Sequence, residues 1–391
     1  MVPRVKLGDE DASASPLLRI PRQPAVIPPS GRHAFLPPRP PEHDRRAQRE
    51  YRLDPSRWIL YLMGQGLADL ARFTVLRPYV PEGAEFELKV GFRHAPGTSP
   101  GERAAIEGLA MASLWLTCTC GGIGARARRG FGGVRIMGAT GGGSGDLPLP
   151  EPWTKVPVIR TPGLAYFEQL KFIWPNGPVA SCMPYCSALS GGRRFNPGTQ
   201  VPVYPVMSKD YSLAGVSGGD PFTDWKAVLI HAGEQWRHFR AAEPNTNRNA
   251  PSYQPHIETP EWIKTVHGTE SRFPLGALGL PVVYRDRFLV NADGGGHGEP
   301  QRRRASPLWL RVVGGGDEFR LLSYAFQGEF LPGQVRLWQG NGQVKQVHVT
   351  DEDVKRQTGQ WIKVLRDDET FVPGDDRGVR VHRRLTDGVG R

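Results

Sequence analysis

The sequence predicts an α+β protein of two mixed domains, in which antiparallel sheets are backed by helices and joined by long Gly/Pro-rich loops. Three observations carry that expectation. Short apolar or alternating runs recur with strand spacing, two stretches carry helical spacing, and 48 glycines with 37 prolines among 391 residues require many turns. Because the strands are short, antiparallel sheets fit better than a doubly wound parallel sheet.

Composition narrows the function classes. At roughly 150 residues per domain the length corresponds to two or three domains, and a 39% hydrophobic fraction is enough to bury a core. No run approaches the ~18 apolar residues of a membrane span. The N-terminus has charges but no apolar signal-peptide region, so a cytoplasmic protein is expected. Four cysteines are too few for a disulfide scaffold. The balance of 50 Lys plus Arg against 39 Asp plus Glu, a net +11, fits a polyanionic partner where the charge is concentrated and mere solubility where it is spread.

Taken in order, residues 1–56 read as a Pro-rich arm. Ten prolines fall in the first fifty residues, including Pro28-Pro29, Pro37-Pro38 and Pro40-Pro41. Proline fixes φ and removes an amide donor, so neither helix nor ladder is expected there. Arg45, Arg46, Arg49 and Arg52 close the arm with basic charge. A first domain over 57–140 then opens with strands at 58–63, 72–80 and 85–90, the last pairing back across Pro81-Glu82-Gly83. Over 102–116, Ile106, Leu109, Ala110, Ser113, Leu114 and Trp115 fall near helical spacing with small residues between, so a helix is expected. A Gly-rich segment and a strand at 133–137 follow.

The run GATGGGSG at 138–145 is a flexible connector, and the domain boundary is placed there. The second domain, 141–391, starts with a strand at 164–174 and passes through Pro/Gly-rich chain to about 219. The strongest helix of the sequence follows at 220–240. Asp220 is positioned to cap it with Pro221 at the first helical position, and Trp225, Val228, Leu229, Ala232 and Trp236 share an apolar face. Strands are expected at 280–284, 307–313 and 321–326. Residues 351–391 read as a tail of mixed charge.

The chemistry concentrates in residues 121–133, GGIGARARRGFGG. Gly121, Gly122, Gly124, Gly130 and Gly132 let backbone amides approach a ligand. Arg126, Arg128 and Arg129 offer guanidinium forks that pair with phosphate, and Phe131 supplies an aromatic face. The combination suits a sugar-phosphate backbone. Gly122-x-Gly124-x-x-Ala127 also satisfies the dinucleotide fingerprint formally, but that fingerprint follows a strand and opens a helix, and here the order is reversed. The bland alternative is a Gly-rich turn with solvated arginines.

Arg302, Arg303 and Arg304, after a glycine run, form a second candidate phosphate grip. Arg193-Arg194 with Phe195 make a smaller one. Cys118-x-Cys120 and the Cys182 and Cys186 pair do not make a comfortable zinc set, so no metal and no other cofactor is expected. His231 and His238 lack the i, i+4 partner of a zinc helix. His33, His43 and His94 stand beside no second acidic or basic partner in a recognisable active-site pattern. With no nucleophile elbow, P-loop or paired carboxylates, catalysis is unsupported.

GGIGARARRGFGGVRI, preceded by Leu114-Trp115-Leu116, resembles the C-terminal glycine-rich loop of the RAMP superfamily of CRISPR-associated proteins, in the form carried by the first Cmr subunit of type III-B effectors. FPLGALGLPVVY at 273–284 and RRASPLWLRV at 303–312 resemble that subunit's second domain. The resemblance covers roughly 57–140 and, more weakly, 221–332. It implies two ferredoxin-like, RRM-like domains holding CRISPR RNA or target RNA inside a multisubunit effector. The implied subunit sits toward the 3′ end of the guide and is not itself the nuclease. Loop amides and arginines would contact phosphate and sugar while guide pairing supplies sequence specificity. It also implies an opening strand with a Gly-Asp motif and a helix with an Arg-Gly segment. The Pro-rich arm stands in their place, so a truncated or replaced start of the first domain is expected. Two rivals accompany this reading: a RAMP endoribonuclease that processes precursor CRISPR RNA, and a scaffold that docks neighbouring subunits.

Overall fold

The computed structural model describes residues 18–19, 25–134 except 65, 87 and 120, 211–240, 265, 269–284 except 281, 288–292, 304–329, 335–339, 344–366, 369–372 and 380–383. These fall into two units, one holding the described residues up to 134 and one holding those from 211 onward. The expected connector at 138–145, the strand at 164–174, and Arg193, Arg194 and Phe195 lie outside the described residues. Among the described ladders every strand pair is antiparallel, and the class is α+β.

In the first unit β1 (Leu18–Arg19) belongs to the Pro-rich arm, which is built into the unit rather than trailing from it. Ile27 exchanges both backbone hydrogen bonds with Tyr79. His33 and Phe35 pack their rings against Tyr79, and Phe35 is buried. The arm also contains a helix that the proline count argued against, α1 (Arg45–Leu53). No proline falls between Pro41 and Pro55, and Asp44 caps the helix by accepting the Ala47 amide at 2.9 Å. Gln48 ties α1 back to the carbonyls of Pro40 and Pro41, and the Tyr51 ring meets Phe73 at 4.6 Å.

Residues 58–63 form helix α2 (Arg57–Met63), not the expected strand. Every residue of α2 except Tyr61 is buried, so the apolar run had no period by which to tell helix from strand. The turn before it decides the matter: Asp54 Oδ1 accepts from the amide and hydroxyl of Ser56, and the Arg57 amide closes on Asp54 O at 3.0 Å. Gly64, at φ +68°, ends the helix.

The other two expected strands shrink to two residues each. β2 (Ala68–Asp69) and β3 (Thr74–Val75) make a short hairpin. β4 (Lys89–Val90) pairs with β1 of the arm, not across Pro81-Glu82-Gly83. Helix α3 (Pro100–Thr119) matches the expected helix and extends it at both ends. Ser99 and Glu102 cap it reciprocally. After the Gly-rich segment, Gly133 and Val134 are not in a strand, and residues 135–137 lie outside the described residues.

In the second unit β5 (Ser212–Val216) leads to α4 (Trp225–Arg240). The helix starts later than expected: the Ala227 amide bonds to Asp224 Oδ1, whereas Phe222 is drawn into a bridge with Phe319. Asp220 therefore does not cap it. The expected apolar face holds, with Val228, Leu229, Ala232 and Trp236 buried. β6 (Val282–Tyr284), β8 (Leu308–Gly315) and β9 (Glu318–Phe326) match the expected strands. β7 (Phe288–Ala292), β10 (Val335–Gln339) and β11 (Val344–Val347) were not expected. The sheets run in the orders β5-β9-β8 and β11-β10-β7-β6, and β12 (Glu369–Val372) pairs with β13 (Arg380–Arg383).

The expected tail contains a core helix, α5 (Asp351–Arg366). Val354, Trp361, Ile362 and Leu365 are buried at helical spacing. Trp361 lies edge-on to Trp236 at 5.1 Å and donates its Nε1 proton to Ser323 Oγ at 2.8 Å, while Ser323 donates to Trp309 O. At the start of α5, Thr350 and Asp353 cap reciprocally. The fully buried Asp353 also takes two hydrogen bonds from Arg272 and one from Arg356. Burial pushes this carboxyl up, but the Arg272 and Thr350 donors prevail and hold it below the ordinary aspartate range.

Candidate nucleic-acid interface

The Gly-rich segment leaves the end of α3 and folds back on itself. Its neck is closed by the Ile123 amide donating to Gly132 O at 2.8 Å. Within the neck, the Arg129 amide closes a turn on Arg126 O at 2.7 Å. Gly124, Gly130 and Gly132 all have positive φ, and so does Arg126 at +66°. A side chain at Gly132 has no room, since a β-carbon there would collide with the carbonyl of Ile123. One at Gly122 would stand 3.0 Å from Phe131 O and 3.1 Å from Gly132 O, and one at Gly121 would meet Thr117 O at 2.9 Å. These three glycines serve the close approach of the chain to itself. Gly124, with nothing within 4 Å of a built β-carbon, has open space beside it just past the neck.

The arginines divide as well. Arg126 is exposed, and its guanidinium lies over Gly64 at the C-terminal end of α2: a β-carbon built on Gly64 would stand 2.9 Å from Nη2. A cation there lies near the negative dipole end of the helix. Arg128, Arg129 and Phe131 are half-buried, with Nη1 of Arg129 inside the unit. All three arginines hold interactions with other groups of the chain. The loop is thus a preformed basic bend tied down on α2 rather than a flexible strap.

The second candidate separates from the first. Arg302 and Arg303 lie outside the described residues. Arg304 exchanges backbone hydrogen bonds with Leu280 and donates from Nη2 to Glu329 O at 3.3 Å. Its guanidinium therefore turns toward the second unit's own backbone.

One pairing was missed in the sequence: His94 Nε2 lies 2.7 Å from Glu107 Oε1. The two stand thirteen residues apart and meet because the 91–99 loop folds onto α3, which no local spacing announces. His231 packs its ring against Phe222. Cys118 is buried, while Cys120, Cys182 and Cys186 lie outside the described side chains. Among the described residues no group of three or more His, Cys, Asp or Glu is placed to hold a metal, and no helix is long and apolar enough to cross a membrane.

Neither a protein-family model nor a curated protein matches this chain. Among solved structures, the crystal structure of Cmr1 from Pyrococcus furiosus in its apo form aligns with 88% of this chain and 76% of its own length, at 17% identity and a TM-score of 0.40.

Proposed function

We propose that this chain is a non-catalytic, cytoplasmic RNA-binding subunit of a type III-B, Cmr-type CRISPR-Cas effector, with the 121–133 loop contacting the backbone of guide or target RNA. The observation that carries the reading is the preformed loop, a basic bend whose neck is closed by Ile123 and Gly132 and which has open space at Gly124, just past the neck. Such a bend offers phosphate both amides and guanidinium forks without ordering cost at binding. The motif resemblance gives the ligand class. The second unit is consistent with a ferredoxin-like domain carrying insertions: β5, α4, β8, β9 and α5 make a strand-helix-strand-strand-helix series, with β6 and β7 inserted before β8 and β10 and β11 before α5, and β5 lies beside β9. Partners on this reading are CRISPR RNA or target RNA and the neighbouring effector subunits.

The test is the salt dependence of binding to a labelled single-stranded RNA. Replacing Arg126, Arg128 and Arg129 by Ala is expected to weaken binding and flatten the slope of log K against log salt by roughly 0.7 unit for each phosphate no longer neutralised. An unchanged slope in a folded variant overturns the assignment to this loop. The His94–Glu107 pair favours a second reading, a metal-independent endoribonuclease. Cleavage of precursor CRISPR RNA by the purified chain, abolished in His94→Ala, would put that reading first.

A further inference from the structure

We propose that α1 carries a second RNA-backbone contact, an arginine face made of Arg45, Arg49 and Arg52. At 100° per residue the three fall within an arc of about 60°. The opposite side, with Ala47 and Tyr51, is turned inward, Gln48 is half-buried beside the arc, and Tyr51 rests on Phe73. All three arginines are exposed.

Their charge is not neutralised by the chain. Each nearby carboxylate is committed elsewhere. Glu42 pairs with Arg39 and Glu50 with Arg46. Asp44 caps α1 and Asp54 holds Ser56. Among the described residues no carboxylate pairs with Arg45, Arg49 or Arg52. Like charges set at i, i+4 and i+7 repel and weaken a helix. A nine-residue helix that keeps three of them on one arc has a face suited to polyanion.

The ligand class follows from what the face lacks. A membrane-surface helix needs an outward apolar side, and a protein interface needs an apolar or aromatic centre. The apolar side of α1 is already spent on Phe73, and only Leu53, at the margin, is exposed. The cations are all arginine, and 30–80 contains no lysine. Guanidinium forks grip phosphate oxygens bidentately. A single strand with a phosphate at every nucleotide satisfies successive arginines along the helix, so the occupant is an RNA strand. The chain of turns that leads from α1 through Asp54 into α2 ends at Gly64, where Arg126 lies, so the face and the loop belong to one unit. This proposal rests on the RNA-binding reading above.

The experiment measures binding of the full chain to labelled oligouridylate across a salt series. Three proteins are compared: wild type, R45Q/R49Q/R52Q, and a loop variant in which Arg126, Arg128 and Arg129 are replaced by Gln. The α1 variant is expected to lose about 2 units of salt slope, and R45K/R49K/R52K to keep the slope at reduced affinity. In wild type, oligouridylate should also shield Arg45, Arg49 and Arg52 from phenylglyoxal, a readout independent of any variant's folding. A wild-type slope in R45Q/R49Q/R52Q, with the loop variant impaired, overturns this proposal alone. Absence of wild-type binding overturns the RNA reading together with it. Shielding by polyglutamate but not by oligouridylate assigns the face to an acidic protein and also overturns it.

Discussion

The guanidinium of Arg126 lies across Gly64, so the basic loop after α3 is seated on the C-terminal end of α2. A β-carbon on Gly64 would stand 2.9 Å from Nη2 and 3.2 Å from Cζ. Gly64 itself has φ +68° and ψ −178°, a backbone region essentially reserved for glycine.

Gly64→Ala therefore carries a penalty of backbone strain, and it pushes the flexible end of the Arg126 side chain aside at little further cost. It should destabilise the chain by about 1–3 kcal/mol in chemical denaturation. Gly101→Ala provides the contrast. Gly101 lies in the first turn of α3 with nothing within 4 Å of a built β-carbon, and alanine there should stabilise by up to about 1 kcal/mol.

Within the loop, Gly132→Ala and Gly124→Ala should separate. The first drives a methyl into the Ile123 carbonyl and opens the neck. Trypsin should then cut faster after Arg126, Arg128 and Arg129, and RNA affinity should fall. The second meets open space and costs only the positive φ of Gly124, about 1–2 kcal/mol, with cleavage near the wild-type rate.

Asp353 gives the second unit an acid-sensitive lock. Its carboxyl titrates lower in the folded chain than the ordinary value of about 3.9. The stability it adds is thus complete above that value and is lost as pH falls from about 4 through the lower folded value. Asp353→Asn should cost about 1–3 kcal/mol at neutral pH. It should also flatten the acid limb of stability against pH, read from urea midpoints.

The relay from Trp361 through Ser323 to Trp309 O should behave as one unit. Trp361→Phe leaves Ser323 Oγ without its donor, and Ser323→Ala leaves the indole proton without its acceptor. Each should cost about 1–3 kcal/mol. The double variant should cost less than their sum by about 0.5–3 kcal/mol, measured as a denaturation cycle.

Elements with a clear period and an exposed side were legible in the sequence. The buried stripe of α4, the helix α3 and the strands β8 and β9 fall where pattern placed them. The apolar positions Val354, Trp361, Ile362 and Leu365 of α5 had the same spacing, but flanking charge obscured it. Where burial is all-round, as in α2, pattern carries no period, and the Asp54–Ser56 turn makes the choice. The Gly/Arg loop was recognisable from residue types alone, since phosphate chemistry requires those types.

What the sequence by itself determined is therefore the class, the periodic elements and the basic loop, because side-chain period and composition are local properties. Tertiary structure alone decided that Arg126 rests on Gly64, that Arg304 turns to Glu329, that His94 meets Glu107, and that α1 turns Tyr51 inward and three arginines outward. Each depends on which distant segment supplies a carbonyl, a carboxylate or an apolar surface, and that is settled by packing rather than by neighbours along the chain.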